Sequence, residues 1–322
     1  MARDFGRRAA VALGLAPLAA RGQGFPDRPV RLIVPFPPGG PVDAAARIVA
    51  QALAPLLGQQ VVVENRSGAG GSVGIDAVAK AAPDGSTLAL GSTGAVAVNV
   101  SLIPNLPYDP RRDLAAVGMV SAVPSLLVVR PGLPVRNMAG LLGLVRQRPG
   151  GLTFASTGPG GTPHLAAELL KLRAGLDIVH VAYRGAAPAI TALLGNEVDM
   201  AFLDLSVLLP HVRDGALRAL ALAAAARAPA LPDVPTVAEA GIAGVEVENW
   251  YAVMAPARIP ADRLAALSAA LRQALAQPET AARFAAQGAR VIGGAPEEAA
   301  GFIAAEIDRW AEVVRRADIR PD

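Results

Sequence analysis

The side chains and backbone groups that can do chemistry in this chain gather in short Gly/Ser-rich stretches, not in paired acids or Cys/His sets. Pro35-Phe36-Pro37-Pro38-Gly39-Gly40-Pro41-Val42-Asp43 joins an apolar β-rich run to an Ala/Leu helical run. Its glycines permit tight turning, and Asp43 can cap the helix. Open amides at such a helix start suit an oxygen anion. Read more plainly, the stretch is a tight strand–helix turn. It lacks the Gly-Lys-Ser/Thr ending of a phosphate loop and the spacing of the dinucleotide fingerprint. Glu64-Asn65-Arg66-Ser67-Gly68-Ala69-Gly70-Gly71-Ser72 has the same setting, with Ser67 and glycine amides as donors. There Arg66 either pairs with Glu64 or meets a ligand. Gly91-Ser92-Thr93-Gly94 closes a third strand, adding the hydroxyls of Ser92 and Thr93.

The second half repeats the pattern. Ser156-Thr157-Gly158-Pro159-Gly160-Gly161-Thr162-Pro163-His164 offers the Ser156 and Thr162 hydroxyls and the Gly158 and Gly160 amides. His164, just inside the helix, serves either the helix end or a ligand. Tyr183-Arg184-Gly185 follows the next strand. Arg184 either holds a carboxylate directly or closes two lobes through a salt bridge. Leu203-Asp204-Leu205-Ser206 follows the strand after that, and Asp204 either caps a helix or faces a cleft. Strand-end loops are where open α/β sheets bind ligands.

Enzyme chemistry finds little to use. Ser92 or Ser156 with His164 and Asp204 makes a conceivable hydrolase triad, but no G-x-S-x-G elbow supports it. No carboxylate pair reads as acid and base. The chain has no cysteine and three scattered histidines, which excludes thiolate chemistry and argues against zinc but leaves carboxylate-held Mg²⁺ or Ca²⁺ open; no metal or cofactor is expected. The net charge of +3 resides in residues 1–24, where Arg3, Arg7, Arg8 and Arg21 outweigh Asp4. The remainder is neutral and carries no basic run with interleaved aromatics, so nucleic acid is not an expected partner.

Those first 24 residues read as a signal peptide: early arginines, an apolar run from Ala9 to Ala20, then polar and small residues before Phe25. An amphipathic or disordered tail is the alternative. No later segment has the continuity of a membrane span. A soluble periplasmic protein is expected.

The elements that must position the loops alternate, as in α/β folds. Strands are predicted at Val30–Val34, Gln60–Glu64, Thr87–Leu90, Leu126–Val129, Leu152–Ala155, Ile178–Val181, Val198–Phe202 and Leu217–Leu222. Helices are predicted at Asp43–Leu57, Gly71–Ala81, Pro163–Ala174, Ala186–Leu194, Ser206–Arg213, Pro260–Ala276, Glu279–Gln287 and Pro296–Arg316, with Trp310 as a packing anchor on the last. The Pro/Ala-rich region 227–241 reads as a surface loop entering a short helix at Thr236. A change of lobe near Pro124 and a return near Val247–Met254 divide the chain into lobe 1, residues 25–123 plus 248–322, and lobe 2, residues 124–247.

The motifs, in order, resemble a known family. They are Arg31-Leu32-Ile33-Val34-Pro35-Phe36-Pro37-Pro38-Gly39-Gly40, Val63-Glu64-Asn65-Arg66 with Gly68-Ala69-Gly70-Gly71, Ala82-Pro83-Asp84-Gly85, and Asn105-Leu106-Pro107-Tyr108-Asp109-Pro110. Phe154-Ala155-Ser156, Tyr183-Arg184-Gly185-Ala186-Ala187-Pro188 and Leu231-Pro232-Asp233-Val234-Pro235-Thr236 continue the match. Together they resemble the Bug family, periplasmic substrate-binding proteins of tripartite tricarboxylate (TctC-like) transporters. The resemblance implies a two-lobed α/β type 2 periplasmic binding fold, hinged like a Venus flytrap, that grips a small carboxylate. Dicarboxylates, tricarboxylates, acidic amino acids and aromatic carboxylates are the classes it implies. It implies one large and one small integral membrane subunit as partners; an exported ligand sensor feeding a signalling system is the alternative reading. The chain itself is expected to act as a monomer. The resemblance places ligand positions on Phe36 to Pro41, on Gly91-Ser92-Thr93-Gly94, on Ser156 to His164 and on Tyr183-Arg184-Gly185. Phe202-Leu203-Asp204 departs from the family's usual polar pair, so ligand choice does not carry over.

Overall fold

Val30–Val34 opens the first sheet because five apolar or long side chains in extended register can be covered on both faces; four of the five are buried. The computed structural model describes residues 25–317 together with 319 and 320. The signal-peptide reading falls on residues 1–24, outside the described residues.

The described residues form ten strands: β1 (Val30–Val34), β2 (Val61–Asn65), β3 (Thr87–Ser92), β4 (Leu114–Val129), β5 (Thr153–Ser156), β6 (Val179–Ala182), β7 (Met200–Asp204), β8 (Arg218–Ala223), β9 (Glu248–Pro256) and β10 (Arg290–Val291). Their order is β2-β1-β3-β9-β4-β7-β5-β6, with β8 and β10 also paired to β4. Parallel strands β2, β1 and β3 form one end, and parallel β7, β5 and β6 the other. Helices connect the parallel strands, as crossovers require.

β4 carries the architecture. Its residues Leu114–Pro124 pair antiparallel with β9, and Ser125–Val129 pair with β7 and β8. The partners change at Pro124–Ser125. A proline in so central a strand is tolerated where the ladder is being handed over, since it has no N–H to give. The sequence pattern predicts only Leu126–Val129 of this strand. The structure extends it to 16 residues, nearly all buried.

The helix Pro41–Leu57 starts with proline at its first position and ends at Gly58 in the left-handed conformation. It packs against Ala261–Ala276. The last helix, Pro296–Arg316, lies on β4 and buries Trp310 completely. At Thr236 the expected helix is absent. Thr236 N–H donates to Glu239 at 2.8 Å and Glu239 N–H to the Thr236 hydroxyl at 3.0 Å, closing a turn beside β8 instead. Among the described residues no helix is long and apolar enough to cross a membrane.

Candidate functional site

The loop after β1 is built around Asp43. Asp43 is buried at the start of its helix and accepts from the Gly39 amide at 3.1 Å, from Arg47 at 2.8 and 3.1 Å and from Asn65 Nδ2 at 3.0 Å. Burial opposes its charge, but these bonds outweigh it and hold the carboxyl below its ordinary value. Asn65 also donates to the Phe36 carbonyl at 3.0 Å. The loop is therefore pre-shaped, and the Gly39 amide, expected to serve an anion, is committed to Asp43. Pro38 and Gly39 are exposed; Phe36 and Gly40 are half-buried. The Phe36 ring rests on Gly71, where a Cβ would sit 3.1 Å from Phe36 Cζ and 2.9 Å from Ala95 Cβ. With φ at 94°, that position takes glycine for both reasons.

Ser67 follows β2, the edge strand, and is exposed. It lies three strands from β9, away from the crossing at Pro124–Ser125, where β4 passes from β9 to β7 and β8. Its neighbour Arg66 pairs with Glu64 at 2.6 Å, and Arg31 holds the same carboxylate. This is the structural one of its two readings.

Ser92 and Thr93 end β3. Ser92 pairs in register with Tyr251 of β9. Thr93 is fully buried: its hydroxyl donates to the Glu248 carbonyl at 3.3 Å and accepts the Trp250 amide at 2.9 Å. Where the sequence predicts a hydroxyl facing a ligand, Thr93 instead clamps β3 to β9. The turn it begins, Thr93–Val98, is π-helical, and the Tyr108 hydroxyl donates to its Ala95 carbonyl.

Across the crossing, Ser156 is fully buried at the end of β5. Its Oγ accepts the Gly158 amide at 3.1 Å and lies 2.7 Å from His180 Nε2. The Gly160 amide donates to His164 Nδ1 at 3.2 Å. His164 therefore does the helix-end work, one of its two expected roles. His164 and His180 stack, and Phe154 continues the stack at 4.7 Å from His180. Sequence reasoning gives His180 no role of its own. Its signal is its place opposite Phe154 in the β5–β6 register, which only the pairing reveals.

Thr162 begins its helix, buried. Tyr183 is half-buried, and its amide donates to the Ser156 carbonyl at 3.1 Å. Arg184 is exposed and forms no ion pair among the described residues, so the salt bridge that would close the lobes is not made.

The loops of the two sides meet. A Cβ on Gly160, which has φ 69°, would collide with Leu102 and come within 3.6 Å of Val98. A Cβ on Gly94 would lie 3.8 Å from the Gly160 carbonyl. The structure thus brings the segment after Thr93 against the segment after Ser156.

Asp204 sits where a helix cap should, yet its side chain makes no cap bond. It accepts from Asn249 Nδ2 at 2.9 Å and from the Tyr251 hydroxyl at 3.3 Å, both on β9. The cap reading is overturned. Burial pushes its carboxyl up to about 6, against the pull of those two bonds. The imagined triad does not assemble, because Asp204 bonds to β9 and His164 to Gly160. A separate pocket of about 130 Å³, walled by Trp250, Glu248, Arg290 and Arg309, contains none of the expected site residues.

The sequence pattern of the tripartite tricarboxylate transporter family receptor matches residues 45–319. The chain belongs to that family. It is 44% identical over 292 residues to the protein BugT of Bordetella pertussis, covering 90% of each. The periplasmic binding protein BugD superposes with a TM-score of 0.86 at 33% identity, over 92% of this chain and all of that one. A Rhodopseudomonas palustris protein solved with adipate gives 0.88 at 36% identity, with the same coverage. The fold is therefore the two-domain α/β periplasmic binding fold of type 2 solute-binding proteins, and the family is one of transport receptors, not enzymes.

Proposed function

We propose that this chain is an exported receptor that closes on a small carboxylate and presents it to the large and small membrane subunits of a tripartite transporter. The observation that carries this reading is the meeting of the two loop systems at Gly160, Leu102 and Val98. Residues 25–123 with 248–322 form one proposed lobe and 124–247 the other, hinged where β4 and β9 cross. Residues 1–24 are the proposed export signal, the mature chain works in the periplasm as a monomer, and no metal or cofactor takes part.

The proposed ligand contacts are Phe36, Pro38 and Gly40 with Ser92 on one side, and Ser156, Gly158, Tyr183 and Arg184 on the other. What supports a carboxylate is the exposed, unpaired Arg184 at a strand end, the family's named tricarboxylate role and the adipate of a relative. The test is calorimetry of the mature chain against a panel of mono-, di- and tricarboxylates, with solution scattering of free and saturated protein. Micromolar or tighter binding with a smaller radius on saturation is expected. Absence of binding across the panel, or an unchanged radius at saturation, overturns the reading.

A further inference from the structure

Five buried polar atoms near the crossing of β4 and β9 have no hydrogen-bond partner among the described residues: Asp204 Oδ1, Asn249 Oδ1 and the hydroxyls of Ser121, Ser125 and Ser206. Three of the five residues are joined directly by pairing or bonding, and Ser121 joins them through Tyr251. Ser125 is the register partner of Asp204, and Ser121 that of Tyr251. Asn249 donates to Asp204 Oδ2 at 2.9 Å and to Tyr251 Oη at 3.2 Å. Directly opposed residues of antiparallel strands share a sheet face, as do residues two apart. Ser121, Ser125, Asp204, Asn249 and Tyr251 therefore share one face. Ser206 lies two residues past Asp204, at the start of the following helix.

Position makes the patch a floor. Asp204 is the last residue of β7, and Ser92, opposite Tyr251, is the last of β3. Both belong to the strand-end edge that carries the Ser156 and Gly94 loops.

Chemistry fixes what the floor lacks. Asp204 Oδ2 already accepts from both Asn249 and Tyr251. Turning the Asn249 amide round would set its oxygen against that carboxylate, so the nitrogen faces Asp204 and Asn249 Oδ1 is left over. The two leftover oxygens only accept. A ligand carboxylate would add a third acceptor to them. An ammonium or hydroxyl would supply donors to both, beside the three serine hydroxyls, which donate as well as accept. Buried polar groups left unpaired cost about 1–3 kcal/mol each, so a group that pairs them is favoured over one that does not.

We propose that this floor is a specificity-determining subsite that reads a hydrogen-bond donor on the ligand, so that the receptor selects carboxylates bearing an amino or hydroxyl group over bare ones. The proposal rests on the carboxylate reading above. Asp204 is the residue that sets the preference, and Asn249 holds it in place. The raised carboxyl of Asp204 agrees with this, since an acid buried without a cation is one that a ligand ammonium would relieve.

The test uses matched probes on the mature chain by calorimetry: succinate, malate and aspartate; glutarate, 2-hydroxyglutarate and glutamate; propionate, lactate and alanine. In the best-bound skeleton, a donor-bearing member should bind about 10- to 150-fold tighter than the bare acid, the span of one charge-assisted hydrogen bond. Asp204→Asn, nearly isosteric, should shrink that ratio severalfold. The hydroxyl and amino arms tell which donor is read. Bare and donor-bearing acids binding alike in the wild type would overturn the floor proposal and leave the carboxylate receptor standing. An undiminished ratio in folded Asp204→Asn would also overturn it. If no acid in these sets binds while the wider carboxylate panel yields a ligand, the floor proposal falls and the receptor reading stands; if that panel is silent too, both fall.

Discussion

His164 and His180 lie ring over ring, their centroids 4.0 Å apart and their planes 9° from parallel. Each holds one part of the same loop. His164 Nδ1 takes the Gly160 amide, and His180 Nε2 lies at hydrogen-bond distance from the Ser156 hydroxyl. The Gly160 bond fixes the His164 tautomer, with its proton on Nε2, 3.7 Å from Glu168. Phe154 backs the stack, and Lys171 lies 5.6 Å over the Phe154 ring while pairing with Glu168. The loop that reaches across to Leu102 thus stands on an aromatic column within its own lobe.

His164→Phe keeps the stacking surface and removes the acceptor. The Gly160 amide is then left without its buried partner. The expected cost is about 1–3 kcal/mol of unfolding free energy, read by urea denaturation. Ligand affinity should fall with it, because Gly160 can no longer be held against the other side. A stability equal to wild type would show that the Gly160–His164 bond does not hold the loop.

Thr93 separates fold from recognition. Its hydroxyl ties the end of β3 to Glu248 and Trp250. Thr93→Val, close in volume, strands the Trp250 amide in the interior. A loss of about 1–3 kcal/mol is expected by denaturation. Unchanged stability with a tenfold weaker ligand would instead place the hydroxyl on the ligand.

Glu306 is bonded by both tryptophans of the chain, Trp250 and Trp310, each donating to Oε2 at 2.9 Å. It joins the last helix to β9. Glu306→Leu leaves two buried indole N–H groups unpaired, at about 2–6 kcal/mol together. Glu306→Gln keeps an acceptor and should lose less. Tryptophan emission, which reports only these two residues, should shift to the red in Glu306→Leu. Identical spectra and midpoints for both variants would refute the shared role.

How much of this is legible in the residues depends on how far apart the partners lie. Ala186–Leu194 and Pro296–Arg316 match the structure to the residue, since Gly185 and Pro296 mark their starts. The helix Met138–Gln147 is absent from the sequence reading, although Asn137 caps it by accepting the Gly140 amide at 2.9 Å. β4 reads short because continuous apolar runs give no period to follow. The side-chain partners at the site are not legible. Asp204 meets Asn249 across 45 residues and Thr93 meets Trp250 across 157. Local pattern shows that Asp204 ends a strand, and the obvious use of such an acid is a cap. Only the pairing of β7 and β9 to the same strand, β4, gives it other donors. Gly39 misleads for a similar reason. Its amide reads as open because the competing acceptor, Asp43, has an evident use in capping the helix itself.

The pH dependence of stability isolates Asp204. Its carboxyl rises from 3.8 to about 6 on folding, because burial disfavours the charge. A raised acid is one the folded state protonates more readily than the unfolded state. Its contribution is therefore fully present below pH 3.8 and is lost as pH climbs through about 6. A rise of that size corresponds to about 3 kcal/mol. Asp43, Glu64 and Asp113 act in the opposite sense: their partners hold them below their ordinary values, so they stabilise at neutral pH and lose that contribution on acidification. These opposing effects are common to wild type and Asp204→Asn and cancel in the difference between them. The amide introduced by Asp204→Asn cannot ionise, so the variant should gain on wild type progressively between about pH 4 and pH 6 and hold a constant advantage above about pH 7. Melting temperatures of both proteins, taken without ligand at half-unit steps from about pH 4 to pH 8, give the curve directly. Parallel curves across that range would mean that Asp204 does not titrate there, and that its burial is relieved by a partner other than Asn249 and Tyr251.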